Sequence, residues 1–158
     1  MKVLVTGGTG YIGSHTIVEL LESGHEVIAF DNFYNSKPEV LNRIKKITGK
    51  EIKFYKADML HKSEMDKIFD ENNIDAVIHF AGLKAVGESC QKPVLYYNNN
   101  ICGTLNLIQS MEEHGVRNIV FSSSATVYGD TKEVPVNEAS PVGHATNPDG
   151  ETKIMQEV

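Results

Sequence analysis

The chain opens on an apolar run, Val3-Leu4-Val5. Three glycines spaced three apart follow, Gly7, Gly10 and Gly13, and then a helical apolar pattern through Ile12, Ile17, Val18, Leu20 and Leu21. Strand, glycine turn and helix in that order constrain the fold more than any other stretch. Glycines let the backbone turn tightly and approach a ligand with no Cβ in the way. The helix behind them aims unpaired N–H groups and the positive end of its dipole at the turn, which suits a dinucleotide pyrophosphate. Gly7, Gly10, Tyr11, Ile12 and Gly13 are therefore candidate cofactor contacts.

The rest of the chain repeats the alternation. Apolar strands are expected near 2–6, 25–30, 52–57, 75–80 and 117–122, and helices near 11–23, 38–48, 63–72 and 93–114. Gly24 suits a helix stop, and Pro38 and Pro93 suit first helical turns. Repeated βαβ units predict an α/β fold, a doubly wound parallel sheet of the Rossmann kind in the order 3-2-1-4-5, covered on both faces. One more helix starts at Pro148 and carries Ile154, Met155 and Val158. It is too short to return to a further strand, so the sheet is expected to be truncated after its fifth strand. Residues 1–158 then form one incomplete dinucleotide-binding domain, with no C-terminal substrate domain.

Bulk properties narrow the partners. The net charge of −6 argues against nucleic acid. The basic cluster between Arg43 and Lys56 reads as a solvated face rather than a phosphate patch. No run reaches membrane-spanning length and no cleavable signal precedes the first strand. Cys90 and Cys102 fit no metal or disulfide spacing, which points to a reducing cytoplasm. The six histidines form no ligand cluster, and no metal is expected.

Asp31 follows the strand Val27–Phe30, eighteen positions after Gly13. A carboxylate there accepts hydrogen bonds from adenosine ribose hydroxyls and repels a 2′-phosphate, favouring NAD over NADP. Asp58, after the third strand, either meets the adenine edge or serves a turn. Ser122, Ser123 and Ser124 read alone as the end of a strand and a turn cap, and Lys153 as a surface helix lysine.

The segments GGTGYIGSH (7–15), DNFYNSK (31–37), HFAGLKAVGES (79–89), YYNNN (96–100), FSSSATVYG (121–129) and NPDGETK (147–153) resemble the extended short-chain dehydrogenase/reductase family, along the whole chain. Within it they are similar to the branch that inverts the 4-hydroxyl of UDP-sugars. The resemblance implies bound NAD and interconversion of UDP-glucose and UDP-galactose. A tyrosine phenolate takes the 4-hydroxyl proton while hydride passes to the nicotinamide, and the keto sugar turns over before the hydride returns. It also implies homodimers for full-length members, and uridine diphosphate contacts mostly beyond position 158.

Carried over by this resemblance, Ser124 is the serine that holds the reacting oxygen and Lys153 the lysine that lowers the base's pKa. Lys84 contacts a cofactor ribose, and Asn99 lies near substrate and cofactor. Asn32, Asn35, Ser36, Phe80, Ala81, Gly82 and Ser122 join the cofactor set through their segments. The tyrosine position is Asp149. Aspartate reaches less far, and its reference pKa is near 4 against about 10 for tyrosine. Beside Lys153 it is expected to be ionised and weaker still, leaving the chain inactive. Tyr128 belongs to the Val-Tyr-Gly loop and nothing places it at the base. Two further functions compete: a non-catalytic NAD-binding module, and a nucleotide-sugar dehydratase. The dehydratase needs an Asp-Glu pair where this chain has Ala125 and Thr126.

Overall fold

A computed structural model describes residues 1–132, 134–143 and 145–158. These residues divide into two compact units. Met1–Ala81 with Asn106–Ser122 makes the first, and Gly82–Leu105 with Ser123–Val158 the second.

The first unit is a five-stranded parallel sheet in the order β3-β2-β1-β4-β5, as the βαβ pattern predicts. Its strands are β1 (Lys2–Thr6), β2 (Glu26–Asp31), β3 (Lys53–Lys56), β4 (Ala76–His79) and β5 (Ile119–Phe121). β1 lies centrally, pairing Val3 with Val27 on one side and with Ala76 on the other. Alternate strand residues point to opposite faces, and each face is covered. Val3, Val5, Val27 and Ala29 pack with Ile17 and Leu21 of α1 (Tyr11–Glu22) and Ile44 of α2 (Glu39–Thr48). Leu4, Ile28, Phe30 and Val77 pack with Met65, Ile68 and Phe69 of α3 (Lys62–Asp70) and with Leu107 and Met111. Gly24 ends α1 with φ +83°, where a side chain would be strained.

The second unit departs from the periodic pattern. An unexpected short helix, α4 (Val86–Gln91), precedes α5 (Pro93–Tyr97). Its sequence, VGESCQ, has no apolar stripe; Ser89 supplies its buried contact instead, donating to the Val86 carbonyl at 2.7 Å. The single helix expected over 93–114 is interrupted. A π turn at Asn98–Cys102 separates α5 from α6 (Gly103–Glu113), and α6 carries the chain back to the first unit. Three consecutive asparagines there are poor helix formers whose side chains compete for backbone groups. A 3₁₀ turn, Ala125–Tyr128, and α7 (Pro148–Glu157) complete the unit. The Asn147 side chain caps α7 by accepting from Gly150 N–H at 2.9 Å.

Candidate functional site

The glycine turn joins β1 to α1 in the first unit. Gly7 has φ +64°, and a Cβ there would lie 2.9 Å from the Ala81 nitrogen. A Cβ on Gly13 would lie 2.3 Å from the Gly7 carbonyl oxygen, so only glycine lets α1 seat on the turn. Gly10 N–H donates to Gly7 O at 3.0 Å, and Ser14 N–H to Gly10 O at 3.0 Å. No side chain caps α1, and its first turn holds no acid. Tyr11, Ile12 and Gly13 thus begin a helix whose positive end is open to an anion, and Tyr11 and Ile12 are themselves exposed. The cradle fits a pyrophosphate.

Asp31 is the last residue of β2 and is nearly buried. Its Oδ2 accepts from Thr9 N–H at 3.2 Å, and its Oδ1 from Phe33 N–H at 2.9 Å and Ser36 Oγ at 3.0 Å. Three of about four lone-pair positions are taken, leaving room for one further donor such as a ribose hydroxyl. The same bonds tie the glycine turn to the 31–36 loop, reinforced by a 2.7 Å contact between the Thr9 and Ser36 hydroxyls. Asn32 donates to Asp58 Oδ2 at 3.0 Å, and Asn35 is exposed.

Thr6 is a site residue that sequence reasoning missed. Its Oγ1 accepts from Phe80 N–H at 3.1 Å and Ala81 N–H at 2.9 Å, and lies 2.7 Å from His79 Nδ1. With both lone pairs used, the hydroxyl proton points to Nδ1, which is therefore the unprotonated ring nitrogen. This small network fixes Phe80 and Ala81 at the end of β4. Ser122 N–H donates to the His79 carbonyl at 3.1 Å.

The expected reacting groups lie in the second unit. Asp149 is 2% exposed and Lys153 6%, one helical turn apart on α7. Asp149 Oδ1 is buried with no hydrogen-bond partner. Burial raises the Asp149 carboxyl above its ordinary range, and the Lys153 charge opposes this only in part. The expectation that Lys153 would leave Asp149 a weaker base is corrected here: desolvation outweighs the charge. Burial likewise lowers the Lys153 ammonium, against the raising effect of Asp149, while the Lys84 charge adds to the lowering. Ser124 Oγ accepts from Thr126 N–H at 3.3 Å and from the Thr126 hydroxyl at 2.9 Å.

Asn100, fully buried, organises the surroundings. Its Oδ1 accepts from Leu83 N–H at 2.8 Å and from Asn99 Nδ2 at 3.0 Å. Its Nδ2 donates to Leu83 O and to Thr152 Oγ1, both at 2.9 Å, and Thr152 in turn donates to the Asp149 carbonyl at 2.7 Å. A Cβ on Gly82 would approach Asn100 Oδ1 at 3.4 Å and Lys153 Nζ at 3.6 Å. Gly82, Asn99, Asp149 and Lys153 are thus brought into one polar cluster, while Lys84 is exposed beside it. Neither Asn100 nor Tyr96 was singled out from the sequence. Their four-residue spacing, one helical turn, was the available signal. Among the described residues no three His, Cys, Asp or Glu side chains are placed to hold a metal ion, and no helix is long and apolar enough to cross a membrane.

This chain is similar to known proteins in sequence and in structure. A UDP-glucose 4-epimerase of Haemophilus influenzae is 62% identical over 157 residues, and one of Bacillus subtilis 59%; each match covers 99% of this chain and 46% of the relative. The chain therefore spans about half the length of the curated relatives it matches. The crystal structure of UDP-glucose 4-epimerase from Bifidobacterium longum, in complex with NAD+ and UDP, superposes with a TM-score of 0.98 at 54% identity. That match covers 99% of this chain and 47% of that one. The family profile itself runs through the glycine turn, the Asp31 loop and α7, from residue 3 to residue 158. The chain belongs to the NAD dependent epimerase/dehydratase family.

Proposed function

We propose that residues 1–158 are the NAD-binding domain of an epimerase that interconverts UDP-glucose and UDP-galactose in the cytoplasm, and that the chain with Asp149 turns over poorly. The observation that carries the cofactor reading is the open N-terminus of α1 over a turn that only glycine can form. Epimerases similar in sequence and in structure, the latter crystallised with NAD+ and UDP, support the reaction class. UDP-sugars are the partners on this reading, with neither nucleic acid nor membrane, and pairing as homodimers is carried over from the family.

Each residue then has a task. The N–H groups of Tyr11, Ile12 and Gly13 donate to the pyrophosphate. Asp31 accepts from the adenosine ribose, and its charge repels a 2′-phosphate. Asn32, Asn35, Ser36 and Asp58 border the adenosine side. Phe80, Ala81 and Ser122 in the first unit, and Gly82, Lys84 and Asn99 in the second, are the further cofactor contacts carried over from the family. When bound, NAD supplies a reversible acceptor for the hydrogen on sugar C4. Ser124 holds the sugar oxygen, Lys153 supplies positive charge, and Asp149, one helical turn before Lys153, accepts the hydroxyl proton. Burial restores part of its basicity but not the reach of a phenol. Losing a matched general base costs about 10²–10⁴ in rate.

Two measurements test this. Calorimetry is expected to find NAD bound more tightly than NADP; equal or tighter NADP binding sinks the role of Asp31. Turnover of UDP-galactose is then compared in four forms. These are this chain, and this chain continued by the C-terminal half of the Haemophilus influenzae relative, each with Asp149 or with Asp149→Tyr. Useful turnover is expected only in the extended form carrying Asp149→Tyr. Robust turnover by the 158-residue chain overturns the reading.

A further inference from the structure

Among the described residues Phe33 is the one non-glycine residue in the left-handed backbone region, with φ +62°. A bulky side chain is strained there and keeps such a turn only where its surroundings hold it. The Phe33 N–H donates to Asp31 Oδ1 at 2.9 Å, and the Tyr34 N–H to Asn32 Oδ1 at 2.9 Å. Two successive side chains thus each hold the backbone two residues on. The Phe33 ring packs on the Phe54 ring of β3, with centroids 5.4 Å apart and planes tilted by 32°. Phe54 in turn packs against the apolar cluster that holds Ile17, Leu21 and Ile44.

The turn at Phe33 brings Ser36 back to Asp31. Ser36 donates its one proton to Asp31 Oδ1 at 3.0 Å, so across the 2.7 Å contact Thr9 donates and Ser36 accepts. Oδ1 is filled by two donors, the Phe33 N–H and the Ser36 hydroxyl. Among the described residues Oδ2 receives the Thr9 N–H alone, at 3.2 Å, and keeps one lone pair. Thr9 lies inside the glycine turn, so this open position borders the cradle. All of these residues belong to the first unit. A turn needed only to leave β2 is made without strain by glycine or asparagine. Phenylalanine keeps it because its ring is anchored on β3.

We propose that Phe33 is a positioning residue for the adenosine ribose: its left-handed turn, pinned by the Phe54 ring, holds Asp31 with one Oδ2 position open to a ribose hydroxyl. This rests on the NAD reading above. Phe33 acts through Asp31. Without the ring contact, the strained turn relaxes, Oδ1 loses its donors and the carboxylate no longer presents Oδ2 in one direction.

AMP and 2′,3′-dideoxy-AMP differ only in the hydroxyls that Asp31 would bind. Calorimetry on the full chain is run with both for the parent, Phe33→Ala, Phe54→Ala, the double alanine variant and Phe33→Gly. The parent is expected to prefer AMP about tenfold, the worth of one hydrogen bond to a charged group. Each alanine variant should lose most of that preference, and the double no more, with dideoxy-AMP affinity unchanged. Phe33→Gly removes the ring and the strain together, so its preference should return to within twofold of the parent. A preference kept by Phe33→Ala, equal loss of both nucleotides, additive losses in the double, or a glycine variant no better than the alanine each overturn the proposal. A parent that binds NAD but does not distinguish AMP from dideoxy-AMP overturns it too, and leaves the glycine-turn reading standing. A parent that binds none of the three overturns both. Should an alanine variant fail to fold, Phe54→Leu loosens the ring contact and keeps the apolar packing. A reduced AMP preference then supports the proposal, and an unchanged one overturns it.

Discussion

The two units are held together by different physics. The first buries aliphatic and aromatic side chains on both faces of its sheet: Val3, Leu4, Val5, Ile17, Ile28, Phe30, Met65, Ile68, Val77 and Leu107 among them. From the second unit only Leu83, Tyr96 and Val127 join the buried apolar residues described. Its other buried side chains are polar: Ser89, Asn100, Thr104, Asp149, Thr152 and Lys153. Apolar burial is non-directional and scales with area. Buried polar groups must be satisfied one by one, with geometry. The unit with the glycine turn can therefore tolerate small shifts, whereas the unit with Asp149 and Lys153 cannot move without breaking bonds.

The largest expected effect tests that contrast directly. Leu4→Ala, in the middle of the sheet, should lower unfolding free energy by about 2–5 kcal/mol. Asn100→Ala should cost less, on the order of 1–3 kcal/mol for the partners it strands. The order should reverse for NAD affinity, which Asn100→Ala reduces more, because Asn100 holds Leu83 and Thr152 in place. Urea unfolding and calorimetry on both variants decide this; a Leu4→Ala protein that is folded but loses NAD more severely breaks the comparison.

An intermediate effect contrasts two carboxyls of opposite sign. Asp66 in the first unit accepts from Lys62 and, at 2.6 Å, from Ser110, and these bonds hold its carboxyl below the usual range. Its stabilisation is present above the unfolded pKa, near 4, and is lost as pH falls through the folded value. Asp149 lies above its usual range because it is buried. The folded state then holds the proton more tightly, so its penalty is absent at low pH and grows as pH rises from about 4 through the folded value. Relative to the parent, Asp66→Asn should therefore lose stability as pH rises from 3 to 6, and Asp149→Asn should gain it over the same range. Unfolding curves at several pH values check this, and two gaps moving in the same direction would count against it.

The smallest effect lies at His114, back in the first unit. Its Nδ1 is 2.7 Å from the Ser110 carbonyl and its Nε2 is 2.9 Å from Asp70. Both partners only accept, so the protonated ring can donate to each, and Asp70 first, then the carbonyl, raise its pKa. The stabilisation is complete below about pH 6.5 and disappears as pH rises through the raised value. Asp70 is largely exposed, so His114→Gln should cost under about 1 kcal/mol at pH 6 and nothing at high pH. Thermal melts across that range settle it.

The two regions also differed in how far they could be read beforehand. Val3, Leu4 and Val5, the glycine spacing and the strand alternation led directly to the 3-2-1-4-5 sheet, because periodic burial leaves a periodic trace. α4 left none, since its buried contact is the hydroxyl of Ser89. The break in 93–114 was harder to read: three asparagines weaken a helix locally, but the Leu83 and Thr152 groups that Asn100 binds are remote in the chain. At the site, the glycines and Asp31 followed from local chemistry. Thr6 did not, because its partners His79, Phe80 and Ala81 lie more than seventy residues away.

Composition and pattern alone therefore determined the strand order, the glycine turn, the carboxylate at the end of β2 and the aspartate at position 149. Each depends on residue type and near neighbours. Tertiary structure alone decided the charge balance of that aspartate. Its ordinary value and the nearby Lys153 both argued for a weakened base, yet near-complete burial raises the carboxyl instead. Desolvation is a property of everything packed around a group, and no neighbour in the sequence reports it.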